Sequence, residues 1–545
     1  MFRKTIFILG GILFILSVFT QQLGLDNDAG WGTGRTAILV LALAFILIGF
    51  LASYYPDRFS KFIHALFARR HLVAAILVVT IIYVWASQVN IKYIRKDYNY
   101  YSELARGFKS GHLYLPEQPS QALLALKDPY DYNRRRVELE VEDFPWDVSL
   151  YKQKFYLYYG PLPALILSVL SNELLLQIGD RHLVIPFALG LFIYGTLIIL
   201  MFFARALPNA PGWLVATCVL TFGLTAPAAI MLQESRIYQV AVFGAQFFFI
   251  GGGYWIYSAL TENRLNAWKL SLAGVHWALA LGTRFSIAPT ILYATVVTII
   301  CIFLLYKTSA KEILIPVFSI GIPLLIAVVS LAWYNWARFD SVFEFGLRYT
   351  LSDTNYTTSN EAFSIRHIGQ NFHHYFTRPL RVRAHFPYLI RTKDAYLNER
   401  LGGLLYIAPY ILFALLPVLV GVRTILSRKK LPSPFPLSIN PESWLLVTSA
   451  GSAIISAITV ASFWTAQTRY IEDFMPSLLL FATANVALVY GTLENEVRWR
   501  KFFSFVIVLF ACITIVASTL VALKTDSLSF WTNLMDTGLR ILNLK

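Results

Sequence analysis

Apolar runs long enough to cross a bilayer recur along almost the whole chain, and no other feature limits its fold so tightly. Inside hydrocarbon no water satisfies a backbone N–H or C=O, so an unbroken apolar run of that length must form a helix, which pairs those groups within itself. Candidate spans, each about 16–22 residues long, begin near Thr5, Ala37, Leu72, Val184, Trp213, Gln239, Trp268, Ile287, Glu312, Leu404, Trp444, Ser477 and Lys501. They predict an all-α polytopic membrane protein with about thirteen transmembrane helices. Composition agrees: 57% of the 545 residues are hydrophobic and 14% are charged. The mean hydropathy of +0.58 is more apolar than a soluble chain has use for.

Orientation follows from the basic residues. With "MFRK" on the cytoplasmic side, the inner loops "PDRFSKFIHALFARRH", "ENRLNAWK", "YKTSAKE", "RTILSRKKLPSP" and "ENEVRWRK" carry far more Lys and Arg than the short outer loops do. The net charge of +15 is then largely topological and does not imply a nucleic-acid partner. The first run follows Arg3 and Lys4 as in a signal peptide, but "SVFTQQLGLDND" has no small-x-small cleavage site, so it is expected to stay as an uncleaved anchor. Cys218, Cys301 and Cys512 all fall in apolar runs, which excludes an outer disulfide framework and a thiolate metal site. No internal repeat, P-loop, GxGxxG or HExxH pattern is present.

The loops are unequal. Residues 92–183 and 334–403 form two long segments on the outer face, while the cytoplasmic loops are short, so chemistry is expected outside. Within the first segment, "VELEVE" (137–142) alternates as a strand, and "DVSLYKQKFYLYYG" (147–160) reads as a small hairpin around Lys152 and Gln153. The stretch "PLPALILSVLSNELLLQIGDRH" would reverse the basic-loop pattern if it crossed, so it is expected to lie on the outer surface as an interfacial helix. The same parity brings "LQESRIYQV" (232–240), with Glu234 and Arg236, to the side of Asp97. Asp97 itself stands just beyond the third span, in "RKDYNYYSELARGFKSGHLYL". Residues 1–71 hold two helices without an assigned role, residues 72–500 the expected catalytic domain, and residues 501–545 a last span and an extracytoplasmic tail.

Five stretches in this order, "KDYNYYSELARGFKSGHLYL", "DVSLYKQKFYLYYGPLPALIL", "LQESRIYQVAVFG", "WYNWARFDSVFEFGLRY" and "TRYIEDFMP", resemble the GT-C superfamily of integral-membrane glycosyltransferases, which contains protein O-mannosyltransferases and lipid A aminoarabinose transferases. The resemblance covers most of residues 72–500. It departs in the two extra spans before the first outer loop, and in Gln-Glu-Ser-Arg where an Asp is more familiar. It implies transfer of a sugar, with inversion, from a polyprenyl-phosphate donor to an extracytoplasmic hydroxyl or amine of a glycan, lipid or protein. No endoplasmic-reticulum retention signal is visible, so the expected location is the cell (inner) membrane, among its lipids. The resemblance assigns the catalytic base to Asp97 and a supporting role to Glu234. Some members use a divalent cation and others do not, so the metal remains open.

Chemistry adds further candidates. A phosphate leaving group in an apolar site needs positioned cations, and guanidinium groups hold phosphate through two parallel hydrogen bonds. Arg284, Arg338, Arg348 and Arg469 sit at predicted outer helix ends, against the positive-inside trend, as phosphate ligands or as side chains reaching for lipid headgroups. Tyr101 and Tyr238 are candidates for substrate contact, although an interfacial aromatic belt accounts for most tyrosines in such loops. His367, His373 and His374 lack a carboxylate at ligand spacing and are not expected to bind metal. The competing reading is a multi-pass transporter or lipid-linked-sugar flippase, which would carry ionisable residues near the bilayer midplane and paired repeats. An inactive scaffold of the same fold is a third.

Overall fold

The structure, a computed structural model, describes residues 2–19, 39, 42–43, 46, 69–88, 99–139, 145–233, 235–306, 314–358, 362–384, 388–393, 399–427, 435 and 438–523. The chain forms two compact units, Met1–Ala74 and Ala75–Lys545. In the first, α1 (Phe2–Val18) brings Gly10 against Ala42 and Ile46.

The second unit is almost wholly helical. Its principal helices are α2 (Arg70–Gln88), which starts in the first unit, α3 (Asp180–Ala206), α4 (Gly212–Leu224), α5 (Ile237–Leu260), α6 (Ala267–Thr283), α7 (Ala288–Tyr306), α8 (Leu314–Phe339), α9 (Pro441–Ala461), α10 (Met475–Thr492) and α11 (Val497–Ala522). Side-chain caps fix their starts: Asn266 accepts from the N–H groups of Trp268 and Lys269, and Asn440 accepts from Ser443 N–H ahead of Pro441. Among the described residues, eight helices are long and apolar enough to cross a membrane, namely α2, α3, α5 and α7 to α11. The chain is an all-α membrane protein, and the count of thirteen is not confirmed among the described residues. The expected span near Ala37 lies outside them, the helices at the expected spans near Thr5 and Trp268 (α1 and α6) have 17 residues each, α4 has 13, and the region after Leu404 divides into a short helix, a 3₁₀ stretch and the helix Leu416–Ser427. The helix α8 packs along α6 and leaves Leu325, Ile326, Val328 and Val329 exposed, as a lipid-facing side requires.

The two long segments interlock as one cap. Strands β1 (Ser149–Tyr151) and β2 (Lys154–Tyr156) pair antiparallel, with Tyr151 opposite Lys154. The two-residue loop is Lys152 and Gln153, at φ 45° and 60°, the left-handed geometry that matches strand twist in a tight hairpin. The hairpin is joined to the second segment: Asp147 N–H donates to Leu351 O at 3.0 Å, and Leu351 N–H returns to Val148 O at 2.9 Å. Ser149 Oγ donates to Gly346 O at 2.8 Å. Gly346 is at φ +93°, and a Cβ there would lie 2.5 Å from the Phe339 ring, so glycine is required on both counts. Arg135, fully buried, donates to Pro129 O at 2.6 Å and to Ser352 O.

Two expectations meet different fates. The strand read into "VELEVE" is corrected: Val137 and Glu138 end the helix Tyr132–Glu138, which Asp131 caps by accepting from Asn133 and Arg134 N–H, and residues 140–142 lie outside the described set. A local cap outweighs a short alternation. The stretch 162–178 forms two helices, Leu162–Leu167 and Asn172–Gln177. Each is about 9 Å long at 1.5 Å per residue, far too short to cross a bilayer.

A reporter fused after Gly179 is expected to read extracytoplasmic and one after Leu207 cytoplasmic, because the membrane-length helix α3 intervenes. A cytoplasmic signal after Gly179 would invert the sidedness of every site described below.

Candidate functional site

One cavity of about 600 Å³ lies where six helix ends converge under the cap. The start of α5, the ends of α6, α8 and α9, and the links that lead into α7 and α10 line it. Lining residues are Arg236 and Tyr238 at the start of α5, and Leu281 and Arg284 at the end of α6, followed by Phe285 and Ser286. From α8 come Leu331, Tyr334, Asn335 and Arg338, from α9 Thr459 and Val460, and from the link to α10 Trp464, Gln467, Arg469 and Tyr470. The cap contributes Trp146, Asp147, Tyr158, Tyr159, Gly160, Asp353 and Tyr356.

Gly160 explains the "YYGPLP" stretch. A Cβ there would sit 2.2 Å from Gly282 O, so only glycine lets this strand of the cap pass against the end of α6 and present Tyr158 and Tyr159 to the cavity. The two phenols are joined, Tyr158 donating to Tyr159 at 2.6 Å.

Four arginines line the cavity: Arg236 is exposed, and the other three guanidinium groups are held in different ways. Arg284 is paired with Asp473 at 2.8 Å, with Nε donating to Ser286 Oγ at 2.9 Å. Both partners are largely buried, at 11% and 6% exposure, so the pair is held dry. Arg469, on the one-turn helix Thr468–Ile471, has no ion pair or side-chain hydrogen bond among the described residues. It lies 4.1 Å from the Tyr238 ring centre and 5.3 Å from that of Tyr470, where ring faces partly offset its charge. Arg338 is buried and bonded to neutral acceptors alone, Leu157 O at 2.6 Å and Asn335 Oδ1 at 2.9 Å being the nearer two.

Facing Arg469 is a carboxylate, Asp147, which accepts a hydrogen bond from the Tyr238 hydroxyl. Burial pushes the Asp147 carboxyl above its ordinary value, while the Tyr238 bond and the Arg469 charge pull it down. Such a group is more basic than a surface carboxylate and is held by a donor that fixes its direction. Next to Asp473, Glu472 lines a separate small pocket with Tyr83, Phe192 and Met475, where burial pushes its carboxyl up to about 8.

Of the residues expected from sequence, Arg284, Arg338, Arg469 and Tyr238 meet in this cavity. Arg348 does not: on the turn Leu347–Tyr349, Leu347 lines the cavity and Arg348 is exposed outside it. Tyr101 is fully buried and lines no cavity, its backbone N–H donating to Asp180 Oδ1 at 3.1 Å. Asp97 and Glu234 lie outside the described residues. Sequence reasoning gave no role to Asp147, although "DVSLY" was part of the pattern, because its partner Tyr238 is 91 positions away. No group of three His, Cys, Asp or Glu side chains among the described residues is placed to hold a metal ion.

No protein-family model matches the chain, and no curated protein matches it. A solved structure that does is the apo crystal structure of the Archaeoglobus fulgidus oligosaccharyltransferase, with a TM-score of 0.46 and 12% identity over 82% of this chain and 55% of that one. The chain thus spans about half the length of that protein. A likeness at this level assigns neither a family nor an activity.

Asp473→Asn would strand a buried guanidinium, so thermal unfolding of the detergent-solubilised protein should show a loss of about 3–5 kcal/mol. Arg348→Ala, at an exposed site, should stay within about 0.5 kcal/mol. An unchanged Asp473→Asn protein would mean that the pair contributes nothing to the bundle end.

Proposed function

We propose that the chain is an integral-membrane glycosyltransferase of the GT-C kind. It moves a sugar from a polyprenyl-phosphate carrier to a hydroxyl or amine of a glycan, lipid or protein outside the cell (inner) membrane. The observation that carries this reading is Arg469: a guanidinium with no contact ion pair among the described residues, lining an aromatic cavity beside the Asp147–Tyr238 pair. A guanidinium that lines a low-dielectric cleft without a contact ion pair is a place for an anion. The leaving group of the proposed reaction is the carrier phosphate, on which charge develops as the sugar departs.

In this reading Arg469, with Arg284 beside it, binds the phosphate, and the aromatic walls exclude water and contact the sugar and the first prenyl units. The acceptor attacks the anomeric carbon from the face opposite the phosphate. Its proton passes to a carboxylate as the new bond forms. The resemblance gives that task to Asp97, with Glu234 in support. Asp147, whose direction Tyr238 fixes, orients the acceptor hydroxyl. With no protein nucleophile in between, the single displacement inverts the anomeric centre. No step is routed through a divalent cation. The cavity's position at helix ends, rather than at mid-bundle, supports a transferase over the transporter reading.

The test is transfer by detergent-purified variants, with melting temperature measured alongside. Asp97→Asn and Asp147→Asn keep shape and hydrogen bonding but lose the carboxylate, and transfer should fall roughly 100-fold or more for Asp97 with the fold retained. A smaller loss, roughly 10-fold, is expected for the orienting Asp147. Near-normal turnover by both variants would overturn the reading.

A further inference from the structure

The end of α8 carries a charge that the proposed chemistry does not use. Arg338 is 4% exposed, and no carboxylate among the described residues lies within ion-pair distance of it. Its Nη1, Nη2 and Nε donate to Leu157 O, Asn335 Oδ1 and Tyr334 O at 2.6, 2.9 and 3.2 Å. Rings flank it, Tyr334 at 3.7 Å and Phe339 at 4.7 Å. A guanidinium has five N–H groups, so these bonds leave two free. The side chain lines the cavity, and those two donors have no described acceptor.

A snorkelling arginine would put its head in water or among lipid headgroups. This one is dry, and neutral dipoles and ring faces only partly offset the cost of keeping a full charge out of water. The nearest titratable groups are Tyr334, Tyr156 and Glu344, and Glu344 is committed to the Gly346 N–H at 2.7 Å. Arg284 and Arg469 belong to another neighbourhood, each within electrostatic reach of Tyr470 and Tyr159. Arg338 thus reaches the cavity from α8, and Arg469 from the link before α10.

We propose that Arg338 is a second anion subsite: the sugar or acceptor that shares the cavity with the carrier phosphate bears its own phosphate or carboxylate, which the free N–H groups of Arg338 bind. The inference deepens the glycosyltransferase reading and rests on it for the phosphate at Arg469. It places two separate anionic groups in one cavity.

Binding to the full-length, detergent-purified protein tests it with three probes: farnesyl phosphate, farnesyl diphosphate, and glucose 6-phosphate added over saturating farnesyl phosphate. Arg338→Gln should leave farnesyl phosphate affinity within twofold and weaken glucose 6-phosphate at least tenfold, whereas Arg469→Gln should weaken farnesyl phosphate at least tenfold. Arg338→Lys keeps a charge in the same place, so it guards against a folding defect, and it should bind glucose 6-phosphate more weakly than the parent because the planar fork is lost. If the parent prefers farnesyl diphosphate and Arg338→Gln abolishes that preference while glucose 6-phosphate is unaffected, the second anion belongs to the carrier and the assignment to sugar or acceptor is overturned. A parent that binds neither second anion, or Arg338 variants that bind every probe as the parent does, would make Arg338 purely structural. Unchanged farnesyl phosphate binding by Arg469→Gln would instead undercut the glycosyltransferase reading, and the Arg338 result would still be read from glucose 6-phosphate.

Discussion

The buried pair of Arg284 and Asp473 sets the geometry on which the cavity depends. It ties the end of α6 to the approach of α10 at 2.8 Å, and Gln246 of α5 holds the Asp473 carbonyl at 2.8 Å. The short stretch between α9 and α10 is thereby pinned at two points inside the bundle. That stretch carries Arg469 and Tyr470, so pinning it is what brings a guanidinium over the Tyr238 ring. A charge pair removed from water is costly unless its geometry is good and its other hydrogen bonds are made. Here Ser286 supplies one of those bonds. With Arg284 paired to Asp473, the cavity-lining arginines without an ion pair among the described residues are Arg236, Arg338 and Arg469.

The cap completes the site by a different kind of force. Its hairpin adds backbone hydrogen bonds to the second long segment, at Asp147, Val148 and Leu351, so the two outer segments form one body. The positive φ of Asp147, 57°, turns the chain just before β1, and the carboxylate meets the Tyr238 hydroxyl at the start of α5. Cap and bundle therefore meet through a polar contact at the point where chemistry is proposed. Elsewhere the seam is tight packing, as where Gly160 meets Gly282.

The helical membrane class was legible because apolar runs of membrane length admit one backbone solution. The hairpin was legible too, since alternation on both sides of Lys152 and Gln153 leaves a two-residue turn. What escaped was information carried across distance. Asp147 owes its position to a tyrosine on another helix, and Arg348 differs from Leu347 only by which way a 3₁₀ turn faces. The strand expected in "VELEVE" failed because Asp131, outside the alternating window, starts a helix that runs into it. Of the four arginines expected at helix ends, Arg284, Arg338 and Arg469 line the cavity and Arg348 does not, and the sequence could not separate Arg284, which has a counter-ion, from Arg338, which has none among the described residues.

A phosphate held between guanidinium groups at the capped end of the bundle is the central claim, and a cryo-EM structure of the purified protein with a polyprenyl monophosphate addresses it most directly. The account predicts head-group density inside the cavity, with phosphate oxygens within hydrogen-bond distance of Arg469 and the prenyl chain leaving toward the lipid-facing helices. Density for the phosphate at mid-bundle, or a lipid lying on the outside of α8 with the cavity filled by water alone, would contradict it.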